Sequence, residues 1–247
     1  MKMEWNDRSE VWTHFVMAVC GGFFGGYAIF GRMAVFGSAQ TANLIEMVGD
    51  ILGRDLTDAS LRLGALLLYA AAMVIFAVLR KKTPLNLKYL AIAVDAAAAA
   101  AAAVMPGQMD PVLALYPVFF AMSFQWCVFK GAEGYACSTI FSTNNLKQTV
   151  LSFTEYFLAG EDEQEERAKS LKKGRFFGET ILFFHASVAT AYLSLHVMGL
   201  AAVWLAVFPL FIGLVMTEMQ EGVIRGWTAR FVMKKAAEKT AGRLSKR

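Results

Sequence analysis

Charge in this chain is confined to a few short blocks, and between them run apolar stretches close to 20 residues long. A helix needs about 20 apolar residues, at about 1.5 Å each, to cross the hydrocarbon core of a bilayer. A chain of 247 residues that repeats such a stretch several times reads as a polytopic, all-α membrane protein. Of its residues 57% are hydrophobic and 18% charged, where a soluble domain carries roughly 25% charged. The net charge of +4 is weak ground for nucleic-acid binding, and none is expected. The cations flank the apolar runs, where they set orientation.

Six spans are expected, at about 11–30, 61–79, 89–105, 111–129, 176–195 and 199–216. The first is too long for a signal-peptide core and is expected to stay in the mature protein. Arg80, Lys81, Lys82 and Lys88 lie between spans two and three. Lys147, Arg167, Lys169, Lys172, Lys173 and Arg175 lie between four and five, and Arg225, Arg230, Lys234 and Lys235 follow span six. Segments 106–110 and 196–198 carry no Lys or Arg, and 31–60 carries only Arg32 and Arg54 against four acids. Basic loops stay cytoplasmic. The charge map therefore predicts a bacterial cytoplasmic (inner) membrane protein with both termini inside. Residues 217–247 read as a basic amphipathic helix on the anionic inner leaflet.

A short echo divides the chain. Thr41-Ala42-Asn43-Leu44 follows span one, and Thr143-Asn144-Asn145-Leu146 follows span four. The charge map puts the first copy on the outer side and the second on the inner side. A three-span unit repeated once, 1–105 and then 106–216, must then be inverted in the membrane. Secondary transporters use this design, with sites near the midplane formed by broken helices. Thr41 and Thr143 stand where helix caps are expected, ahead of amphipathic stretches at about 44–52 and 146–158. Segments 38–52 and 140–158 read as two short helices that dip in from opposite faces; the alternative is a pair of interfacial helices.

The stretch Gly21-Gly22-Phe23-Phe24, Val35-Phe36 and Gln40-Thr41-Ala42-Asn43-Leu44 resembles the YoaK-like family of bacterial inner-membrane proteins of unknown function. Met122-Ser123-Phe124-Gln125-Trp126 and 138–146 resemble that family's second-half motifs. The resemblance spans nearly the whole chain and implies the six-span layout; the family is described only as membrane or transport proteins, so the resemblance speaks to fold more than to function. Gly25 stands where the family has Asp, Ala42 where it has Gly, and Trp126 where it has Asn. No coupling role therefore carries over from that Asp.

The candidate substrate site gathers Gly22, Gly25, Ser38, Gln40, Thr41 and Asn43 from the first half. From the second half it takes Gln125, Ser142, Thr143 and Asn145. Hydroxyls, amides and helix N-termini suit a small polar or anionic solute, or an ion. Glycines 21, 22, 25 and 26 form small-xxx-small pairs that read first as close helix packing, and they would also serve a homodimer. Asp95 sits in mid-span three, ahead of the alanine run 96–103. A carboxylate there costs at least about 2.5–3.5 kcal/mol, so it should face the interior, pair, or be protonated. Asp95, Glu179 and His185 are the coupling candidates, while His14 and His196 read as interfacial. No histidine or cysteine spacing suggests a metal, no cofactor is expected, and no catalytic motif marks an enzyme. The rivals to a transporter are a channel and a non-transporting scaffold or partner subunit.

Overall fold

A computed structural model describes residues 2–32 and 40–222, with side chains from Arg8 onward. Ser38 and the C-terminal stretch beyond Gly222 lie outside the described residues. Helix α1 (Lys2–Gly26) runs on into a π-helical turn, Tyr27–Gly31. It is followed by α2 (Gln40–Gly53), α3 (Leu56–Lys82), α4 (Leu87–Val104), α5 (Pro111–Ala114) and α6 (Tyr116–Val128). A two-stranded hairpin, β1 (Gly131–Ala132) and β2 (Tyr135–Ala136), leads to α7 (Thr143–Leu158) and α8 (Gln164–Met198). A 3-10 helix, Gly199–Ala206, and α9 (Val207–Glu221) complete the order.

Four segments are long and apolar enough to cross a membrane: Arg8–Gly31, Leu56–Lys82, Leu87–Val104 and Gln164–Glu221. The fourth, of 58 residues, is one apolar helical run where the charge pattern predicts spans five and six. It turns at Gly199, whose φ of +56° is readily reached only by glycine. The stretch expected to be span four is broken. Pro117 has no N–H to give the carbonyl of Leu113, so α5 ends there and Leu115 closes a tighter turn on Val112. Helix α6 beyond the break has 13 residues, or about 20 Å, short of the roughly 30 Å hydrocarbon core. The membrane-facing character is plain on α3, where Leu63, Leu67, Val74, Ile75 and Val78 are all exposed. A belt of that kind belongs in lipid rather than water.

Particular contacts fix the packing. Gly22 faces Phe184, Gly26 faces Ala191 and Gly31 faces Leu195, so α1 and α8 run parallel. In the same way Tyr116 donates to the Leu61 carbonyl at 2.8 Å and Ser123 to that of Tyr69 at 2.7 Å, so α3 and α6 run parallel. Helix α9 runs antiparallel to α1, with Gln220 donating to Thr13 at 2.6 Å and Gly213 against Met17. One end of the bundle is tied by Lys88 to Glu221 at 2.9 Å and by Tyr89 to Glu218. Helix α2 folds back on α3 through Arg62, which pairs with Glu46 and Asp50. Helix α7 folds back on α8, setting Thr149 on Gly178 and Ser152 on Gly174.

Arg32 belongs to none of the loops it seemed to mark. It is buried, and its guanidinium donates to the carbonyls of Pro106 (2.8 Å), Met105 (2.9 Å) and Ala102 (3.4 Å). These are the last carbonyls of α4 and its exit, so a cation meets the negative end of that helix and satisfies acceptors left open there.

Candidate functional site

Between β2 and α7 the chain is not helical, yet it is buried. Ser138, Thr139 and Ile140 are each 5% exposed or less. This backbone lies against Gly21, close to the middle of the apolar segment Arg8–Gly31. Only glycine permits the approach, because a Cβ at position 21 would overlap the Thr139 carbonyl oxygen. Unwound backbone survives in an apolar interior only when its polar groups find partners. Here Asn145 supplies them. Its Oδ1 accepts from the Ser138 N–H at 3.2 Å, and its Nδ2 donates to the carbonyls of Ser138 (2.7 Å) and Phe141 (3.4 Å). The Ser138 hydroxyl accepts from the Ile140 N–H at 3.2 Å.

Gln125 of α6 reaches the same place. Its Nε2 donates to the Thr139 hydroxyl at 2.8 Å and to the Met17 carbonyl of α1 at 3.1 Å. One amide thus joins α1, α6 and the unwound segment, while its Oε1 is buried with no hydrogen-bond partner among the described residues. Asp95 of α4 is fully buried near Cys20 of α1, and neither carboxylate oxygen has a hydrogen-bond partner among the described residues. Besides the unwound backbone that Asn145 satisfies, the interior therefore holds an amide oxygen and a carboxyl with unused hydrogen-bonding capacity among the described residues. Groups of this kind can accept a proton, a cation or a polar solute.

The echo behaves alike in both copies. Asn43 and Asn145 are buried, whereas Thr41 and Thr143, Leu44 and Leu146 are exposed. Asn43 donates to Gln40 at 2.9 Å and to the Arg62 carbonyl of α3 at 3.2 Å. Thr143 is not a cap: it is the first helical residue, and Ser142 ahead of it makes no capping bond through its side chain. Asn145 instead ties the start of the helix to the chain upstream. Gly22 packs on the Phe184 backbone of α8, and Gly25 is buried in the same helix. Glu179 sits away from the centre, on α8 beside Arg175 (3.7 Å). His185 faces outward, its Nδ1 3.0 Å from the Ile181 carbonyl of its own helix.

Two residues escape a reading of sequence alone. Thr139 holds Gln125 but carries no signal beyond its polar neighbourhood. His14, expected at an interface, is 1% exposed beside the Phe176 ring, with both nitrogens unpartnered among the described residues.

The burial pattern predicts a separation of roles within the echo. Asn145→Ala should cost about 2–4 kcal/mol, since it removes three bonds and strands the buried Ser138 N–H. Thr41→Ala and Thr143→Ala, at exposed positions, should stay within about 0.5 kcal/mol of the parent. Denaturation of the four alanine variants at positions 41, 43, 143 and 145 in one detergent checks this; equal losses at threonine and asparagine would refute it.

A family model described as "Protein of unknown function (DUF1275)" matches residues 13–216, and the chain belongs to that family. The match is consistent with the whole-chain resemblance drawn from the motifs. No curated protein and no solved structure matches the chain.

Proposed function

We propose that this protein is a secondary transporter or facilitator of a small polar or anionic solute. It is built from two inverted three-span repeats, 1–105 and 106–216, and works by alternating access at a midplane site. The observation that carries this reading is the unwound segment Ser138–Phe141, buried against the middle of α1 beside Gln125 and opening α7 at that depth. Broken helices at mid-depth are how such carriers form ligand sites.

The packing supports the repeat. Exchange α1 with α6, α2 with α7, α3 with α8 and α4 with α9. The α1–α8 contact then becomes α6–α3, the α2–α3 contact becomes α7–α8, α1–α9 becomes α6–α4, and α4–α9 maps onto itself; every one of these pairs is in contact. In this reading α5 with α6 forms the fourth span, and the bend at Gly199 separates the fifth from the sixth. The charge map supports termini on the cytoplasmic side of a bacterial inner membrane. Of the coupling candidates, Asp95 is the one whose position supports exchange of a proton or cation. Alternating movement of one repeat against the other would open the Gly21–Asn43 and Gln125–Asn145 elements to each side in turn.

The test begins with thermal shift of the purified full chain against a panel of organic anions, sugars, amino acids and ions, since a ligand of the folded state raises its apparent stability. The hit is then loaded into proteoliposomes. Saturable counterflow is the expected result. Conductance without saturation would make the protein a channel, and no flux of any hit would remove the transport reading.

A further inference from the structure

At the end of the bundle where the β1–β2 hairpin meets α1 and α8, a cavity of about 350 Å³ opens outside the central site. Its character is divided. Trp12, Phe15 and Phe176 form an aromatic wall, and Arg8, Lys172 and Arg175 stand among its lining cations. The wall extends along α8, for Phe15 stacks on Phe183 at 5.0 Å and Trp12 meets both rings edge-on at 5.8 and 6.0 Å. Trp12 is 52% exposed, the amphipathic placement that tryptophan takes at a membrane–water boundary.

The charges do not cancel. Glu133 engages Lys172 at 3.1 Å, and Glu179 lies 3.7 Å from Arg175. Arg8, exposed at the mouth, has no ion pair among the described residues. Among the described lining residues, three cations face two carboxylates across a cleft whose far side is apolar. An anion joined to a hydrocarbon chain satisfies both halves at once; a free anion leaves the aromatic wall uncovered, and a neutral lipid leaves the excess charge unmet.

We propose that this cavity binds the phosphate headgroup of an anionic phospholipid, with an acyl chain laid along Trp12, Phe15 and Phe183. Arg8 and Arg175 hold the phosphate, and Glu133 restrains Lys172 as a competing anion. That the lipid comes from the inner leaflet rests on the orientation proposed above; the binding itself does not.

The probe is dioleoyl-phosphatidylglycerol added to the purified full chain, against dioleoyl-phosphatidylcholine at equal concentration. The expected result is a melting temperature higher by roughly 5 °C in the anionic lipid, the scale that saturating a site gives a chain of this size. R8A/R175A should lose most of that increment while melting normally in phosphatidylcholine, because both side chains are exposed. Glu133→Gln, which frees Lys172, should enlarge it. The inference is overturned if the two lipids give equal melting temperatures, if R8A/R175A keeps the full increment, or if Glu133→Gln lowers it. Inorganic phosphate alone producing the full increment would assign the cavity to a soluble anion and overturn the lipid assignment. Flux without a lipid increment sinks this inference and spares the transporter; an increment without flux does the reverse.

Discussion

Asp95→Val is expected to make the protein more stable and to abolish coupled uptake. The carboxyl is fully buried, and neither oxygen has a hydrogen-bond partner among the described residues. Its neighbours on the inward stripe of α4 are Ala91, Ile92, Ala98, Ala99 and Ala102, none of which offers one through its side chain. An ionisable group so placed costs about 2.5–3.5 kcal/mol on insertion scales, and an unsatisfied buried polar group costs more than the apolar group that would replace it. Valine is close to aspartate in volume, so the overpacking penalty should be small. A gain of about 2 kcal/mol is therefore expected in denaturant titration. Asp95→Asn keeps the shape without the exchangeable charge; it should stay near parental stability and also lose coupled flux. A purely structural aspartate would behave in the opposite way. If Asp95→Val destabilises the fold, the carboxyl has a partner that matters; if Asp95→Asn retains coupled flux, the coupling role is gone.

The first three expected spans were legible because a bilayer imposes a length and an apolar composition that local sequence must meet. The stretches read as 61–79 and 89–105 lie in or almost in Leu56–Lys82 and Leu87–Val104, and 11–30 lies within Arg8–Gly31. The second copy of the echo also marked a real helix start, at Thr143, and the first copy lies within α2. It did not reveal which of its residues matter. In α2 the exposed side is apolar (Leu44, Ile45, Val48, Ile51 and Leu52), while Asn43, Glu46 and Asp50 turn toward Arg62 of α3. A membrane helix packs its polar stripe inward, the inverse of a soluble one, so the asparagines go in and the threonines out. Pairings between distant parts of the chain left no local trace. Arg32 looked like a loop cation and caps α4; His14 looked interfacial and is buried by Phe176, a residue far along the chain. The break at Pro117 had a signal, a proline six residues into an apolar run, that length alone outweighed.

Gly22→Leu should be among the most damaging single substitutions in the chain, at about 3 kcal/mol or more. A Cβ at this position would overlap the Phe184 carbonyl oxygen and come within about 3 Å of that residue's carbonyl carbon and Cα. These are backbone atoms of a helix and cannot rotate aside as a side-chain tip would, so α1 and α8 must separate. Separation strains the Ser187 hydroxyl's bond to the Val19 carbonyl, now 2.6 Å, and carries Gly21 away from the unwound segment that depends on it. Without water to drive helices together, packing and interhelical hydrogen bonds are what hold such a bundle, and small residues are what permit them. Gly49 provides the contrast. It lies inside α2 with nothing among the described residues within 4 Å of an added Cβ, so Gly49→Ala should stabilise by about 0.5–1 kcal/mol through helix propensity alone. Unfolding both variants beside the parent should open a gap of about 4 kcal/mol between two substitutions that each remove one glycine from a helix. If Gly22→Leu unfolds like the parent, the α1–α8 seam does not need its close approach, and the glycines of span one are free to face a ligand instead.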